Sequence, residues 1–200
     1  MKAALARTWT AEEYLAWEAE QPIRHEYSGG QVFAMAGASA EHNQIVANVL
    51  GELRSALREK PCRVFASDMR LKIPETGIYT YPDAAVVCGQ PMYEDEKRLT
   101  LLNPTVLVEV LSDSTESYDR GKKFQAYRSV PSLTDYLLVA QDTVWIEHYV
   151  RTADSGWILH DTLPGGVVRL ASCGVELRAD EIYWKVLGGD GSSGPVGARQ

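Results

Sequence analysis

The sequence predicts a mixed α/β (α+β) protein, in which a mixed central β-sheet is flanked by helices and followed by an antiparallel β C-terminal part. Helically spaced apolar residues, short apolar runs, and alternating segments between glycine turns follow one another along the chain. The chain has 200 residues, of which 45% are hydrophobic, enough for one full core. We therefore predict a single domain over residues 1–187 and a disordered Gly/Ser-rich tail over residues 188–200.

The N-terminal elements are indicated by a capping signal and a turn signal. Thr10 followed by Glu13 is the pattern of a capping box, so we predict a helix near residues 11–19. The segment His25–Phe33 has a Gly-Gly pair at its centre, which predicts two strands joined by a tight turn. The chain is therefore expected to begin with a helix and a β-hairpin.

A longer amphipathic helix is predicted next. Ser39 can cap a helix that runs from Ala40 to about Glu59. Apolar residues recur along it at helical spacing and form a one-sided stripe: Ile45, Val46, Val49, Leu50, Leu53 and Leu57. Such a helix buries one face against a sheet.

The middle of the chain is predicted to be rich in strands. We predict one half-buried strand over Arg63–Ile73, because apolar and basic residues alternate at its end. A loop over Pro74–Thr80 leads to a second strand, Pro82–Val87, and a polar loop then leads to the apolar run Val106–Leu111. Strands that follow one another in this way commonly become neighbours in a sheet.

The second half of the chain is predicted to contain one more helix and a β-rich region. Ser117 or Asp119 can begin a helix that reaches about Ser129. Tyr136–Val139 is a further short apolar strand, and residues 143–177 alternate between glycine turns in the manner of an antiparallel sheet.

The charge and cysteine content restrict the class of protein. Twenty basic and 27 acidic residues give a net charge of −7, which argues against binding nucleic acid by overall charge but leaves a local basic groove open. Neither a signal peptide nor a membrane span is visible, so we expect a cytoplasmic protein without a membrane partner. Cys62, Cys88 and Cys173 lack CxxC spacing, and we expect reduced thiols in the core.

Two carboxylates interrupt apolar strand segments. Asp83 follows Pro82, and Glu109 lies inside the run Val106–Leu111. Burying an unpaired charge costs on the order of several kcal/mol, so Glu109 either lies at a solvated strand end or meets a cation. Asp83 has the simpler alternative of a turn residue or a solvated strand end.

The two carboxylates can converge if their strands are neighbours. By alternation Asp83 shares a face with Ala85 and Val87, while Glu109 shares a face with Leu107 and Leu111. If these faces coincide, two oxygen ligands meet, which is the arrangement that binds Mg²⁺ or Mn²⁺.

Two lysines follow Glu109 on the next predicted helix. Lys123 shares a face with Arg120 and Tyr127 at spacings of three and four residues. A lysine beside a metal can orient an attacking water and stabilise negative charge in the transition state. Without the carboxylates, Lys122 and Lys123 are most simply a solvated helix face.

The motifs resemble those of a known nuclease superfamily. Tyr81-Pro82-Asp83 followed by Val108-Glu109-Val110-Leu111 resembles the PD-(D/E)XK restriction-endonuclease-like superfamily. The longer string VLVEVLSDSTESYDRGKKFQAYRSVPSLTDYLLV is similar, more closely, to the Uma-type endonucleases of bacteria. The resemblance extends over roughly Thr8 to Val186.

The resemblance implies a restriction-endonuclease-like core and a set of site residues. Asp83, Glu109 and Lys123 are the implied catalytic residues, with Asp83, Glu109 and the backbone carbonyl of Val110 as ligands of Mg²⁺ or Mn²⁺. The sequence departs from the superfamily pattern at Leu111, where a lysine is expected, and Lys123 matches the position from which this family supplies its lysine. A homodimer that acts on nucleic acid, with DNA as the expected substrate, is also implied.

Two further residues are candidates for additional roles. Glu26 precedes the Gly-Gly turn and is either exposed or an additional acidic residue of the site. His42 lies one turn before the apolar stripe of its helix, where a satisfied core histidine is the default and a role near the scissile phosphate is the alternative.

The sequence thus supports two classes of function. The first is a Mg²⁺-dependent endonuclease that hydrolyses phosphodiester bonds. The second is a non-catalytic dimeric binding module that retains the nuclease fold, which the leucine at position 111 favours. Retention of Asp83, Glu109 and Lys123 together argues for the enzyme.

Overall fold

The computed structural model describes residues 7–35 and 37–187. The helices are α1 (Ala11–Glu18), α2 (Ala40–Ala56), α3 (Glu116–Tyr118), α4 (Phe124–Tyr127) and α5 (Ala179–Ile182), with a π-helical turn over Asp119–Lys123. The strands are β1 (His25–Ser28), β2 (Gln31–Ala34), β3 (Cys62–Ala66), β4 (Arg70–Ile73), β5 (Ile78–Thr80), β6 (Ala84–Cys88), β7 (Thr100–Leu101), β8 (Val106–Val110), β9 (Asp135–Val139), β10 (Ile146–Arg151), β11 (Trp157–Thr162), β12 (Val167–Leu170) and β13 (Val175–Arg178). The predicted tail over residues 188–200 lies outside the described residues.

The strands form two mixed sheets and a separate hairpin. The larger sheet has the order β11-β10-β9-β8-β6-β3, and the smaller has the order β2-β1-β5-β4-β7. The pairs β8–β9 and β4–β7 are parallel, and the other pairs are antiparallel. β12 and β13 pair with each other. The predicted mixed sheet with an antiparallel C-terminal part is therefore confirmed.

The larger sheet is covered on both faces. One face packs against α2, α5 and the β12–β13 hairpin, and its core includes Ile45, Val49, Val108, Leu137, Val168 and Ile182. The other face packs against the smaller sheet and the segment after the π-helical turn, with Leu71, Leu101, Leu107, Tyr127 and Tyr136. Within the described part of the chain, no helix has the length and apolar content needed to cross a bilayer.

The predicted helix caps and the hairpin turn are confirmed. The Thr10 hydroxyl accepts a hydrogen bond from the backbone N–H of Glu13 at 3.1 Å, and the Glu13 carboxylate accepts one from the N–H of Thr10 at 2.9 Å. Ser39 Oγ accepts from the N–H of His42 at 3.0 Å, and α2 ends at Ala56, three residues before the predicted end. β1 and β2 pair around a turn at Gly29 and Gly30, both with positive φ, where glycine avoids backbone strain.

The single strand predicted over Arg63–Ile73 is two strands in different sheets. β3 pairs with β6 in the larger sheet, whereas β4 pairs with β5 and β7 in the smaller one. A turn, closed by the N–H of Met69 on the carbonyl of Ala66 at 2.9 Å, separates them. The predicted loop over Pro74–Thr80 contains β5. Alternation of side chains predicts strand conformation but not the point at which a chain changes sheets.

Two of the three cysteines form a disulfide, contrary to the expectation of three reduced thiols. Cys62 and Cys88 are bonded, and Cys173 is a buried free thiol. The register of β3 and β6 places Cys62 directly opposite Cys88. This proximity is a property of strand pairing, which the 26-residue separation in sequence does not reveal.

A buried polar network joins β9, β10 and the turn after β12. Asp135 is 1% exposed and accepts hydrogen bonds from the hydroxyls of Thr134 and Ser172, and its Oδ1 lies 2.8 Å from His148 Nε2. Burial alone raises the pKa of Asp135, but the hydrogen bonds from His148, Ser172 and Thr134 outweigh it and lower the pKa below its usual value.

We expect Asp135→Asn to lower the free energy of unfolding at pH 7 by about 1–2 kcal/mol, because charge-assisted hydrogen bonds become neutral ones. A carboxyl with a lowered folded-state pKa contributes stability above its unfolded pKa of about 3.9, and this stability is lost as the pH falls through the folded pKa. The difference from the parent, measured by urea unfolding, should therefore be full at pH 7 and shrink below about pH 4. If Asp135→Asn and the parent differed in stability by the same amount at pH 7 and below about pH 4, this account would be contradicted.

Candidate active site

Asp83 and Glu109 lie opposite each other on neighbouring strands. β6 and β8 pair antiparallel with Ala84 opposite Val108, so one position further along this register Asp83 is opposite Glu109. The apolar residues that alternate with them pack in the same core cluster: Ala85, Val87, Leu107 and Leu111. The two predicted faces therefore coincide, and both carboxylates line one cavity.

Asp83 is held in place by the backbone of β8. Its Oδ2 accepts a hydrogen bond from the N–H of Val110 at 2.8 Å and lies 3.4 Å from His42 Nε2. The Asp83 side chain is 14% exposed, compared with 5% for that of Glu109. Asp83 is thus the more accessible of the two carboxylates, and Glu109 is buried beside it.

Lys123 lies among three carboxylates. Its Nζ is 2.9 Å from Glu109 Oε1, 3.1 Å from Glu26 Oε1 and 3.4 Å from Asp119 Oδ1. The wide π-helical turn carries both Asp119 and Lys123, and such turns are frequently found at functional sites. Lys122, in contrast, is exposed. The ammonium therefore reaches the space beside Glu109 from the helical segment, while Leu111 packs in the core.

Glu26 and Glu109 are held by hydroxyl groups. Thr80 donates a hydrogen bond to Glu26 Oε1, which also accepts from the N–H of Tyr81 at 3.4 Å. The Tyr127 hydroxyl donates to Glu109 Oε1 at 2.8 Å. Glu26 is 6% exposed, which excludes the exposed alternative. Both side chains are thus held in position by hydrogen bonds from neighbouring residues.

The charges of this cluster do not balance. Burial raises the pKa of Glu109 well above its usual value, Lys123 opposes the rise, and like charges reinforce it on Asp119, Asp83 and Glu26. Burial lowers the pKa of Lys123, but Glu109 and Glu26 outweigh burial and raise it well above its usual value. The raised pKa favours the cationic form of Lys123, which faces the carboxyl groups of Glu109, Glu26 and Asp119 as a hydrogen-bond donor.

His42 lies in the wall of the cavity rather than in a satisfied core position. Its side chain is 14% exposed, and its buried Nδ1 has no hydrogen-bond partner among the described residues. Burial lowers its pKa, but the hydrogen bond and charge of Asp83 and the carbonyl of Val110 outweigh burial and raise it. The default expected from the sequence is wrong because α2 begins at the cavity and enters the core only at Ile45.

The residues present fit a divalent cation. Asp83 and Glu109 supply two carboxylates beside the Val110 peptide, and the neighbouring carboxylates that raise the pKa of Glu109 also attract a cation. Among the described residues, no three ligand atoms of His, Asp or Glu side chains lie within 4.8 Å of one another. The three ligand atoms that do lie this close together are the sulfur atoms of Cys62, Cys88 and Cys173. Two carboxylates with the remaining positions left to water is the coordination typical of Mg²⁺.

The charged cluster also includes three residues for which the sequence predicted no role in the site: Asp119, Tyr127 and Thr80. Asp119 was expected to begin a helix, but α3 begins at Glu116 and Asp119 is 2% exposed. The spacing of four residues between Asp119 and Lys123 was an available signal. Tyr127 lies on the same side of the helical segment as Lys123, as predicted, and contacts Glu109. Arg120 does not, because the π-helical turn changes the direction of its side chain, and it pairs with Glu116 and Glu147 instead.

The site opens into one cavity of about 830 Å³. β1, β2, the start of α2, the end of β8 and the segment 112–119 form its walls. Its lining includes Glu26, Phe33, His42, Asp83, Glu109, Val110, Tyr118, Asp119 and Lys123. The cavity thus brings together all the residues for which the sequence suggested a chemical role.

The fold and this arrangement define a nuclease-like protein of the restriction-endonuclease type. A crystal structure described as "a putative nuclease belonging to DUF820" from Anabaena variabilis matches with a TM-score of 0.73 and 17% identity, over 87% of this chain and 97% of that chain. At this level of identity the match shows a shared fold.

The sequence matches the model of the Uma2 family, described as "Putative restriction endonuclease", over residues 11–179. The chain belongs to the Uma2 family. Two proteins of Synechocystis sp. are similar along most of their length: sll1609 is 36% identical over 163 residues, which cover 82% of this chain and 92% of the relative, and slr1290 is 38% identical over 172 residues, which cover 86% and 90%.

Proposed function

We propose that the protein is a Mg²⁺-dependent endonuclease that hydrolyses phosphodiester bonds of nucleic acid, with DNA as the expected substrate. The observation that carries this proposal is the placement of Lys123 Nζ 2.9 Å from Glu109, opposite Asp83, at the floor of a shared cavity. A binding module needs no such buried charge cluster, since buried ions are costly unless they are paired.

In the proposed reaction a water oxygen forms a bond to phosphorus, and the bond from phosphorus to the 3′ oxygen breaks. The 3′ oxygen takes up a proton, which leaves a 5′ phosphate and a 3′ hydroxyl. A bound divalent cation supplies Lewis-acid polarisation of the phosphate and lowers the pKa of a water. Asp83 and Glu109 are the proposed ligands, together with the Val110 carbonyl.

Lys123 is proposed to stabilise the charge that develops on the phosphate oxygens. Glu109 and Glu26 raise the pKa of Lys123, which favours the protonated ammonium, the form that donates hydrogen bonds to phosphate oxygens. Glu26 and Asp119 hold the ammonium in position from two other directions. The homodimer implied by the family resemblance and the cytoplasmic location expected from the sequence stay predictions.

The proposed function is tested by incubating the purified protein with supercoiled DNA, linear DNA and RNA in Mn²⁺, in Mg²⁺ and in EDTA. We expect cleavage of DNA that requires the divalent ion. Mn²⁺ should also raise the melting temperature, by an amount equivalent to about 2.7 kcal/mol at 100 times the dissociation constant. A melting temperature that does not respond to either ion, together with no cleavage, would favour the non-catalytic binding module.

A further inference from the structure

The groups proposed for catalysis lie deep in the cavity. Glu109 is 4% exposed, and Lys123 and Glu26 are each 6% exposed. A phosphodiester must therefore enter the cavity to reach them. A nucleotide within a duplex is held by stacking and pairing, and enzymes with recessed sites act on single strands or extrude the nucleotide at a cost of a few kcal/mol.

The cavity wall lacks the basic side chains that grip a duplex. Five carboxylates line it: Glu26, Asp83, Glu109, Asp113 and Asp119. Lys123 is the sole Lys or Arg among its described lining residues. Proteins that bind duplex DNA tightly neutralise several phosphates with Lys and Arg. Arg120, beside the cavity, already pairs with Glu116 and Glu147.

Aromatic side chains flank the acidic cluster instead. Phe33 on β2 is directly opposite Glu26 on β1, so both side chains extend from the same face of the hairpin. Tyr118 directly precedes Asp119, and burial raises its pKa to about 12, which keeps its hydroxyl neutral. Both rings are half-buried and line the cavity. In proteins that bind single strands, unpaired bases stack on aromatic side chains that line the binding groove.

We propose, resting on the nuclease function proposed above, that the substrate is single-stranded or locally unpaired nucleic acid, whose bases stack on Phe33 and Tyr118 while one phosphate reaches the floor of the cavity. Stacking replaces the basic groove as the main source of affinity. Few phosphates are neutralised, so binding depends weakly on salt.

The test compares three fluorescent DNA oligonucleotides of one sequence in Mn²⁺: a single strand, its perfect duplex, and the duplex with a four-nucleotide unpaired gap. We expect the single strand and the gapped duplex to be cut at least about tenfold faster than the perfect duplex. Binding of the same oligonucleotides is measured by fluorescence anisotropy in Ca²⁺ at two salt concentrations. For the single strand, we expect the logarithm of the binding constant to fall with the logarithm of the salt concentration, with a slope that corresponds to about one or two phosphates.

Two variants test the stacking surface. Phe33→Leu and Tyr118→Leu keep apolar bulk but remove the ring, and each is expected to raise KM for the single strand about tenfold with a smaller change in kcat. Trp184→Leu is the matched control, since this ring is 55% exposed after α5 and lies outside the cavity lining. Melting temperatures show that each variant is folded.

The outcomes separate this proposal from the one on which it rests. Equal or faster cutting of the perfect duplex would overturn the single-strand preference and leave the nuclease function standing. Binding of the single strand without cleavage of any oligonucleotide would overturn the nuclease function while retaining the preference. Neither binding nor cleavage would overturn both.

Discussion

Asp83→Asn is expected to lower the rate of Mn²⁺-dependent DNA cleavage by at least about a hundredfold while the fold stays intact. The amide oxygen can still accept the hydrogen bond that Val110 N–H donates to Asp83 at 2.8 Å. What the substitution removes is a negative charge at the proposed metal site. Stabilisation of transition-state charge by a bound metal is worth several kcal/mol, and about 1.4 kcal/mol corresponds to a tenfold change in rate.

The measurement is the initial rate of cleavage for parent and variant purified in the same way, with melting temperatures measured in parallel. Asp68→Asn is the matched control, because the Asp68 side chain is 86% exposed and pairs with Arg24 at 3.2 Å outside the cavity lining. Cleavage that persists equally in Asp83→Asn would show that a contaminating nuclease or another site is responsible.

Lys123→Met is expected to lower the free energy of unfolding by about 3–5 kcal/mol, the typical cost of removing one partner from a buried ion cluster. Methionine fills a similar volume, so the loss reports charge rather than a cavity. Glu109, Glu26 and Asp119 lie within 3.4 Å of the ammonium and would be left without their cation. Urea unfolding at pH 7.5 in EDTA measures the effect without a bound metal.

The neighbouring lysine provides the control for this variant. Lys122 is exposed, so Lys122→Met should change stability by less than about 0.5 kcal/mol. Adding Glu26→Gln to Lys123→Met removes one of the uncompensated carboxylates and should recover part of the loss, which a double-mutant cycle measures as a coupling energy. If the two lysine variants lose the same stability, the buried cluster is not the cause.

The local elements of this fold follow from short-range sequence signals. The capping box of Thr10 and Glu13, the cap of Ser39 and the Gly29-Gly30 turn each act over a few residues, so their chemistry determines the conformation directly. Alternation likewise predicted which apolar residues share a face with Asp83 and which with Glu109, because the side-chain period of a strand is two. Whether these two faces coincide depended on the pairing of the strands.

Contacts between distant segments could not be predicted from local sequence patterns. The alternation of apolar and basic residues in the segment 63–73 is compatible with one strand. The segment is divided between two sheets because its two halves pair with different strands. The Cys62–Cys88 disulfide depends on the same pairing. Pairing is decided by the packing of both sheet faces, which is not encoded in any one window of sequence.

The site divides in the same way. Residue type and strand period, which are local properties, predicted that Asp83 and Glu109 bring charge to apolar strand segments. Lys123 was distinguished from Lys122 by the resemblance to the family. The positions of Glu26 and Asp119, both within 3.4 Å of Lys123, depend on how distant segments of the chain pack together. Burial of the core brings the β1–β2 hairpin and the π-helical turn, which are distant in sequence, together around Lys123.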